Sequence, residues 1–90
     1  MSRFIIERDF PNGLEVPITH AGADACSRIA AVNAAKGVTW LHSYVSPDKR
    51  RTYCVYDSPS AEAIREVAYS NGLPVGSITQ VTVLDPYFYQ

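Results

Sequence analysis

The sequence lacks both a large net charge and long apolar runs. Its eight basic and nine acidic side chains give a formal net charge of −1 at pH 7. Proteins that bind nucleic acid or anionic membranes usually carry a basic excess, so we expect no nucleic-acid partner and no membrane partner. No apolar run approaches the roughly 20 residues of a membrane-spanning helix. The first residues, Met1–Phe4, also lack the apolar segment of a secretory signal.

Cysteine is scarce as well. The chain contains only Cys26 and Cys54, whereas a small secreted domain that relies on disulfides normally contains more. We therefore predict a cytoplasmic protein with reduced thiols.

The sequence motifs of common enzyme classes are missing. The chain contains no Gly-x-Ser-x-Gly elbow, and no Ser-His-Asp motif is visible. Its scattered glycines do not form a phosphate-binding loop, and no His-x-His or Cys-x-x-Cys spacing marks a metal site. The sequence therefore offers no motif that assigns a reaction.

The composition that is present is typical of a globular protein. Hydrophobic residues make up 47% of the chain and charged residues 19%. A length of 90 residues predicts a single domain, spanning residues 1–90. At this size the buried core is small, so association with another chain often adds stability.

The clearest local pattern is a β-hairpin between Val38 and Asp57. Two runs rich in β-branched and aromatic residues flank a polar turn, Pro47-Asp48-Lys49-Arg50. This arrangement is typical of two antiparallel strands joined by a short loop.

The flanking segments complete a predicted order of β-α-β-β-α-β. A helix is predicted from about His20 to Lys36, with Thr19 as its N-cap. A second helix is predicted to begin with Ser58 as N-cap and to end at Asn71-Gly72. Strands are predicted over Arg3–Arg8 and Ser77–Leu84. This order predicts an α+β, ferredoxin-like fold, in which an antiparallel sheet carries both helices on one face.

Strand alternation assigns side chains to the two faces of this sheet. We expect the helices to cover a mainly apolar face. The face away from the helices is then aromatic and polar, and an exposed patch of that kind marks an interface or a ligand site. We therefore predict that a second copy covers it, giving a homodimeric α/β barrel with a cavity between the sheets. The residues predicted under the helices are Leu41, Val45, Val55, Val81 and Val83, and those predicted on the other face are Glu7, Trp40, His42, Tyr44, Cys54, Tyr56 and Gln80.

Several short motifs stand out along the chain: Trp40, Ser43-Tyr44-Val45, Asp48, Tyr53-Cys54-Val55-Tyr56, Pro59 and Gly72-Leu73-Pro74. Together they resemble a family of small bacterial proteins of unassigned function that includes a nickel-binding protein. The resemblance spans the domain from the first strand to the last and is strongest in the hairpin. It implies a ferredoxin-like homodimer with nickel as the favoured metal, and it does not imply an enzyme.

Three side chains are candidate metal ligands. The imidazole of His42 suits divalent transition metals, although a histidine can equally be hydrogen-bonded inside a dimer cavity. Cys54 could add a thiolate, or it could be a small buried hydrophobe. The carboxylate of Glu7 is costly to bury without a cation, but it could also lie in water at an open strand end.

The same cavity supports a second hypothesis, in which the protein is a small enzyme or carrier for an aromatic or apolar molecule. Trp40, Tyr44, Tyr56 and Gln80 would line the ligand site, with His42 or Glu7 as an acid or base. A third hypothesis is that the face serves only for dimerisation.

Overall fold

The computed structural model describes residues 1–14 and 20–87 and confirms the predicted order of elements over these ranges. The elements are β1 (Ser2–Asp9), α1 (His20–Ala35), β2 (Thr39–Val45), β3 (Arg51–Ser58), α2 (Ala61–Asn71) and β4 (Ser77–Val81). The predicted N-cap of the first helix, Thr19, lies outside the described residues.

The strands form an antiparallel sheet in the order β2-β3-β1-β4. The central strands β1 and β3 pair along their full lengths, from Ser2 opposite Ser58 to Asp9 opposite Arg51. The chain therefore has the predicted ferredoxin-like topology.

The turn between β2 and β3 is held by Asp48 and Ser46. The Ser46 hydroxyl donates to Asp48 Oδ1 at 2.6 Å, and the Arg50 N–H donates to the same oxygen at 3.0 Å. Both hydrogen bonds stabilise the ionised carboxylate and so lower the pKa of Asp48 below its usual value, and the bond from Ser46 has the larger effect. These hydrogen bonds hold the turn in one conformation, and the pairing of β2 with β3 begins beside it, with Val45 opposite Thr52.

The second helix begins two residues later than the sequence predicts. Ser60 is its N-cap, and its hydroxyl accepts a hydrogen bond from the Ala63 N–H at 3.1 Å. The predicted cap, Ser58, is instead fully buried at the end of β3, where its hydroxyl donates to the Ser60 carbonyl at 2.8 Å. The helix ends as predicted at Gly72, whose φ of 68° is the left-handed conformation that glycine adopts readily. The last strand ends at Val81 rather than Leu84.

Both helices pack on the same face of the sheet, which we call the covered face. From the helices, Ile64 and Val67 of α2 belong to the buried cluster, and Val32 of α1 packs against it. The strand residues of the covered face that join them are Phe4, Ile6, Cys54 and Tyr56, with Trp40 and Ile78 packed at the margin. The predicted placement of two helices on one side is thus confirmed.

In the described part of the chain, neither helix combines the length and the apolar character required to cross a membrane.

Candidate functional site

A β-bulge in β2 separates side chains that the sequence pattern places together. Trp40 pairs with Tyr56, but His42 pairs with Val55, only one residue further along the partner strand. One extra residue in β2 therefore lies between these two pairs, which is the definition of a bulge. As a result, Trp40 and His42 lie on opposite faces of the sheet.

The prediction that Trp40 lies on the face away from the helices is therefore wrong. Trp40 packs against the helix-covered core, and its indole N–H donates to the Ser43 hydroxyl at 2.9 Å. Ser43 pairs with Cys54 on the same covered face. The bulge places the large indole where it fills space under the helices.

The predicted faces of β3 are also reversed. Tyr56 and Cys54 pair with Phe4 and Ile6 of β1 in the buried cluster, so they lie on the covered face. Only 2% of Tyr56 and 8% of Cys54 is exposed. The alanine-rich α1 contributes little side-chain volume, and large side chains of the sheet fill the space beneath the helices, as close packing requires.

Four further face assignments need correction. Gln80 pairs with Phe4 and so belongs to the covered face, at an exposed edge where its amide donates to the Ser2 hydroxyl at 3.2 Å. Val55 and Val81, predicted under the helices, lie on the other side of the sheet, and Val83 lies beyond β4 with 60% of its surface exposed.

Two more residues predicted under the helices are exposed. Val45 pairs with Thr52 on the covered face, yet 48% of Val45 is exposed. Leu41 is the residue left without a partner by the bulge, and 38% of it is exposed.

The opposite side of the sheet, which we call the open face, is covered by no helix of the described chain. Its centre is apolar, with Val55 and Ile5 paired across β3 and β1. Two rows of side chains cross it from β2 to β4. They are His42, Val55, Ile5 and Thr79 in one row and Tyr44, Tyr53, Glu7 and Ser77 in the next.

His42 and Tyr44 form an aromatic pair at the β2 edge of the open face. Their rings are 5.2 Å apart between centroids and meet at 86°, an edge-to-face arrangement. Both residues are exposed, Tyr44 by 63%. The imidazole is therefore accessible to a ligand or to another chain.

Glu7 lies on the open face, two strands away from His42. One of its carboxylate oxygens, Oε2, accepts a hydrogen bond from the Ser77 hydroxyl at 3.1 Å. Within residues 1–14 and 20–87, Glu7 forms no ion pair. The other acidic side chains of this face do: Asp57 pairs with Arg3 and Asp9 with Arg51, each at 3.0 Å. Glu7 is thus a half-buried carboxylate with no cationic partner among the residues that the structure describes.

The structure does not bring the three predicted metal ligands together. Cys54 is on the covered face, where its thiol donates to the Thr52 hydroxyl at 3.8 Å, so the sheet separates it from His42 and Glu7. His42 and Glu7 share a face, but two strand spacings of about 4.8 Å each lie between them. No group of three or more potential ligands occurs in the described portion of one chain.

The predicted ligand-binding residues are also divided. Tyr44 keeps its place on the open face, whereas Trp40 and Tyr56 belong to the core and Gln80 to an edge of the covered face. The sequence reasoning overlooked Tyr53, which lies between Tyr44 and Glu7 on the open face. Because side chains alternate along β3, knowing that Cys54 or Tyr56 is buried under the helices is enough to place Tyr53 on the open face.

Comparison with known proteins gives a structural match and a family match. The crystal structure of SCO4226 from Streptomyces coelicolor A3(2) superposes with a TM-score of 0.75, covering 93% of this chain and 100% of that one at 21% sequence identity. This likeness supports the fold. No curated protein shows a significant sequence match. The family model described as "Nickel responsive protein SCO4226-like" matches residues 4–81, and the chain therefore belongs to the SCO4226-like family.

Proposed function

We propose that this protein is a homodimer that binds nickel between the open faces of its two protomers. The observation that carries the proposal is that His42 and Glu7 lie on the same uncovered sheet face but two strands apart. A second protomer is needed to bring an imidazole and a carboxylate to one ion. Imidazole nitrogen is a suitable ligand for nickel, and the description of the family as nickel responsive supports this choice of metal.

A two-fold axis that runs along the strands between β1 and β3 would satisfy this requirement. Such an axis superposes β3 of one protomer on β1 of the other. The lateral separation between His42 of one protomer and Glu7 of the other then falls from two strand spacings to about one, roughly 5 Å. The offset of one row along the strands, about 7 Å, is unchanged by this axis, and the two side chains must span it. Val55 and Ile5 lie at the centre of the same interface. Because Val55 is already only 8% exposed, the apolar surface that dimerisation would bury comes mainly from Ile5 and from the exposed ring of Tyr44.

The ion pairs at the two ends of the central strands β1 and β3 fit a self-complementary interface. The pair Arg3–Asp57 and the pair Arg51–Asp9 lie at opposite ends of the face, and both are already neutralised within the protomer. Contact between two copies therefore does not bring together uncompensated like charges at these positions. The carboxylate of Glu7, which pairs with no cation among the described residues, is left for a metal ion, and we assign that role to nickel.

The first test measures metal binding and assembly together. Untagged protein would be titrated with nickel by calorimetry, and its mass would be measured by light scattering with and without the metal. We expect a dimer that binds nickel at micromolar concentration, with binding lost in His42→Ala and weakened in Glu7→Gln. Glu62→Gln is the matched control, because Glu62 is an exposed helix residue that pairs with Arg65. A monomer, or equal binding by all four proteins, would reject the proposal.

Mixing the two variants tests whether each site takes one ligand from each protomer. A heterodimer of His42→Ala and Glu7→Gln has one site with both ligands lost and one with both intact. After subunit exchange, random pairing would recover about a quarter of the wild-type nickel capacity. If both ligands came from one protomer, mixing would recover nothing.

The hypothesis of an aromatic or apolar small-molecule ligand has less support. Two of the aromatic residues proposed to line such a site, Trp40 and Tyr56, fill the core under the helices instead. We retain the cytoplasm as the proposed location, because both cysteines are free thiols.

A further inference from the structure

Arg8 is buried on the covered face of the sheet, on the side opposite His42. Only 1% of its surface is exposed, although arginine is almost never fully buried without a partner. It lies across from Thr52, itself 3% exposed, and its guanidinium carbon is 5.6 Å from the centroid of the Tyr56 ring. A positive charge is thus held between the sheet and the helices.

The charge of Arg8 is not balanced by the residues that the structure describes. None of them accepts a hydrogen bond from Nε, Nη1 or Nη2 of its guanidinium. The contact with the Tyr56 ring is a cation–π interaction. The hydroxyl of the same side chain lies near enough to Arg8 to be affected by it, but among the described residues no acceptor, this hydroxyl included, meets the guanidinium with regular hydrogen-bond geometry. A buried cation of this kind is strongly destabilising unless an anion or several acceptors compensate it.

The described residues that lie against Arg8, Thr52 and Tyr56, carry no negative charge, and the side chain near the Tyr56 phenol, Asn33, is a neutral amide. Asn33 is fully buried, and its Nδ2 also lacks a partner within residues 1–14 and 20–87. The acceptor of that side chain, Oδ1, is already used by the Asn71 amide at 3.2 Å. Burial raises the pKa of Tyr56 above its usual value against the opposing effect of the Arg8 charge, so Tyr56 remains a neutral phenol.

We propose that Arg8 binds a small anion, either an inorganic oxyanion or a carboxylate, between the sheet and the helices. The guanidinium fork matches two oxygens of such an anion. An unsatisfied buried polar group in a folded protein calls for an explanation, and a bound ion is one of the few available. Because each guanidinium nitrogen exposes less than 1 Å² of surface, the anion must be small and enters only when the helices separate locally from the sheet. This site lies on the opposite face from the proposed nickel site and does not depend on it.

Inorganic phosphate is the probe for this site. Thermal unfolding would be followed at constant ionic strength while phosphate replaces chloride. A ligand that binds only the folded state should raise the ratio of folded to unfolded protein about tenfold for each tenfold rise in its concentration above Kd. We expect this response in the wild type and in Arg65→Met, which removes an exposed arginine of α2. We expect none in Arg8→Met and a weaker one in Arg8→Lys, which keeps the charge but loses the fork.

Two further measurements keep the test decisive. Phosphorus NMR on the wild type alone should show line broadening of phosphate that excess acetate reverses, which requires no variant to fold. A double-mutant cycle of Arg8→Met with Glu15→Gln tests for an internal counter-charge, since Glu15 lies outside the described residues. Equal responses of wild type and Arg8→Met to phosphate would overturn the proposal. So would a strong coupling between Arg8 and Glu15 with no effect of phosphate.

Discussion

Trp40 and His42 lie on opposite faces of one strand although a single residue separates them. Trp40 pairs with Tyr56 beneath the helices, and His42 pairs with Val55 on the open face. The extra residue of the bulge, Leu41, absorbs the change of face. Because of it, β2 gives a large indole to the core and an imidazole to the surface that we propose as the dimer interface.

The first prediction follows from this bulge. Deleting Leu41 should be tolerated, because Trp40 and His42 would then form consecutive regular pairs with Tyr56 and Val55. Deleting Ser43 should be far more damaging. It can remove the bulge only by placing His42 opposite Cys54 under the helices, and it also removes the acceptor of the Trp40 indole.

Urea unfolding measures the difference between the two deletions. We expect the Leu41 deletion to unfold cooperatively with a loss of at most about 1 kcal/mol, and the Ser43 deletion to lose about 3 kcal/mol or more, as is typical when a polar group is forced into a core. Similar losses for the two deletions would show that the bulge does not set the faces of β2.

The fold was predictable from the sequence because its signals are local. The Pro47–Arg50 turn, the stop at Gly72 and the order of apolar segments are each visible in a few neighbouring residues. The faces of the sheet were not, because they depend on distant contacts. A period of two assigns residues to two sets, but it does not say which set the helices cover.

The errors in the candidate site have the same origin. The sequence pattern places Tyr56 and Cys54 on the face away from the helices, because the alternate set of residues, with its valines, is the more apolar one. The slim α1 nevertheless leaves room beneath the helices for the larger phenol ring. The bulge at Leu41 has no glycine to signal it, so its effect on Trp40 was invisible in the sequence.

A second prediction concerns the reactivity of the two cysteines. Cys54 is 8% exposed on the covered face, whereas Cys26 on α1 is partly exposed. A thiol reagent should therefore label Cys26 readily and Cys54 only as the protein opens. Labelling of Cys26→Ser, which leaves Cys54 alone, should be slow at low protein concentration and should accelerate in urea. Rapid labelling of Cys54 on dilution would place it at a dissociable interface instead of in the core.

A third prediction tests the start of α2. Ser60→Ala should destabilise the protein by about 1 kcal/mol because the Ala63 N–H loses its acceptor. Ser60→Asp should retain most of the stability, since aspartate also caps helices and its charge favours the helix N-terminus. Both are measured by urea unfolding. Equal losses in the two variants would mean that the hydrogen bond to Ala63 contributes little.

The fourth prediction concerns the alkaline stability of the protein and depends on Tyr56. Burial raises the pKa of this phenol in the folded state above its value in the unfolded chain. The folded state therefore favours the protonated phenol, and Tyr56 contributes stability that is fully present below the unfolded pKa of about 10. That contribution should be lost as the pH rises through the folded pKa.

Tyr56→Phe removes the titrating group while it preserves the ring that packs with Phe4 and over which Arg8 lies. The free energy of unfolding should therefore fall less steeply in Tyr56→Phe than in the wild type between about pH 9 and about pH 11. Tyr69→Phe is the matched control, because Tyr69 is 89% exposed and its loss should leave the wild-type slope unchanged. Urea unfolding across this range measures all three slopes. Equal slopes in Tyr56→Phe and Tyr69→Phe would mean that the phenol of Tyr56 ionises as easily in the folded chain as in the unfolded one. The surroundings of Tyr56 would then be more open to water than the structure indicates.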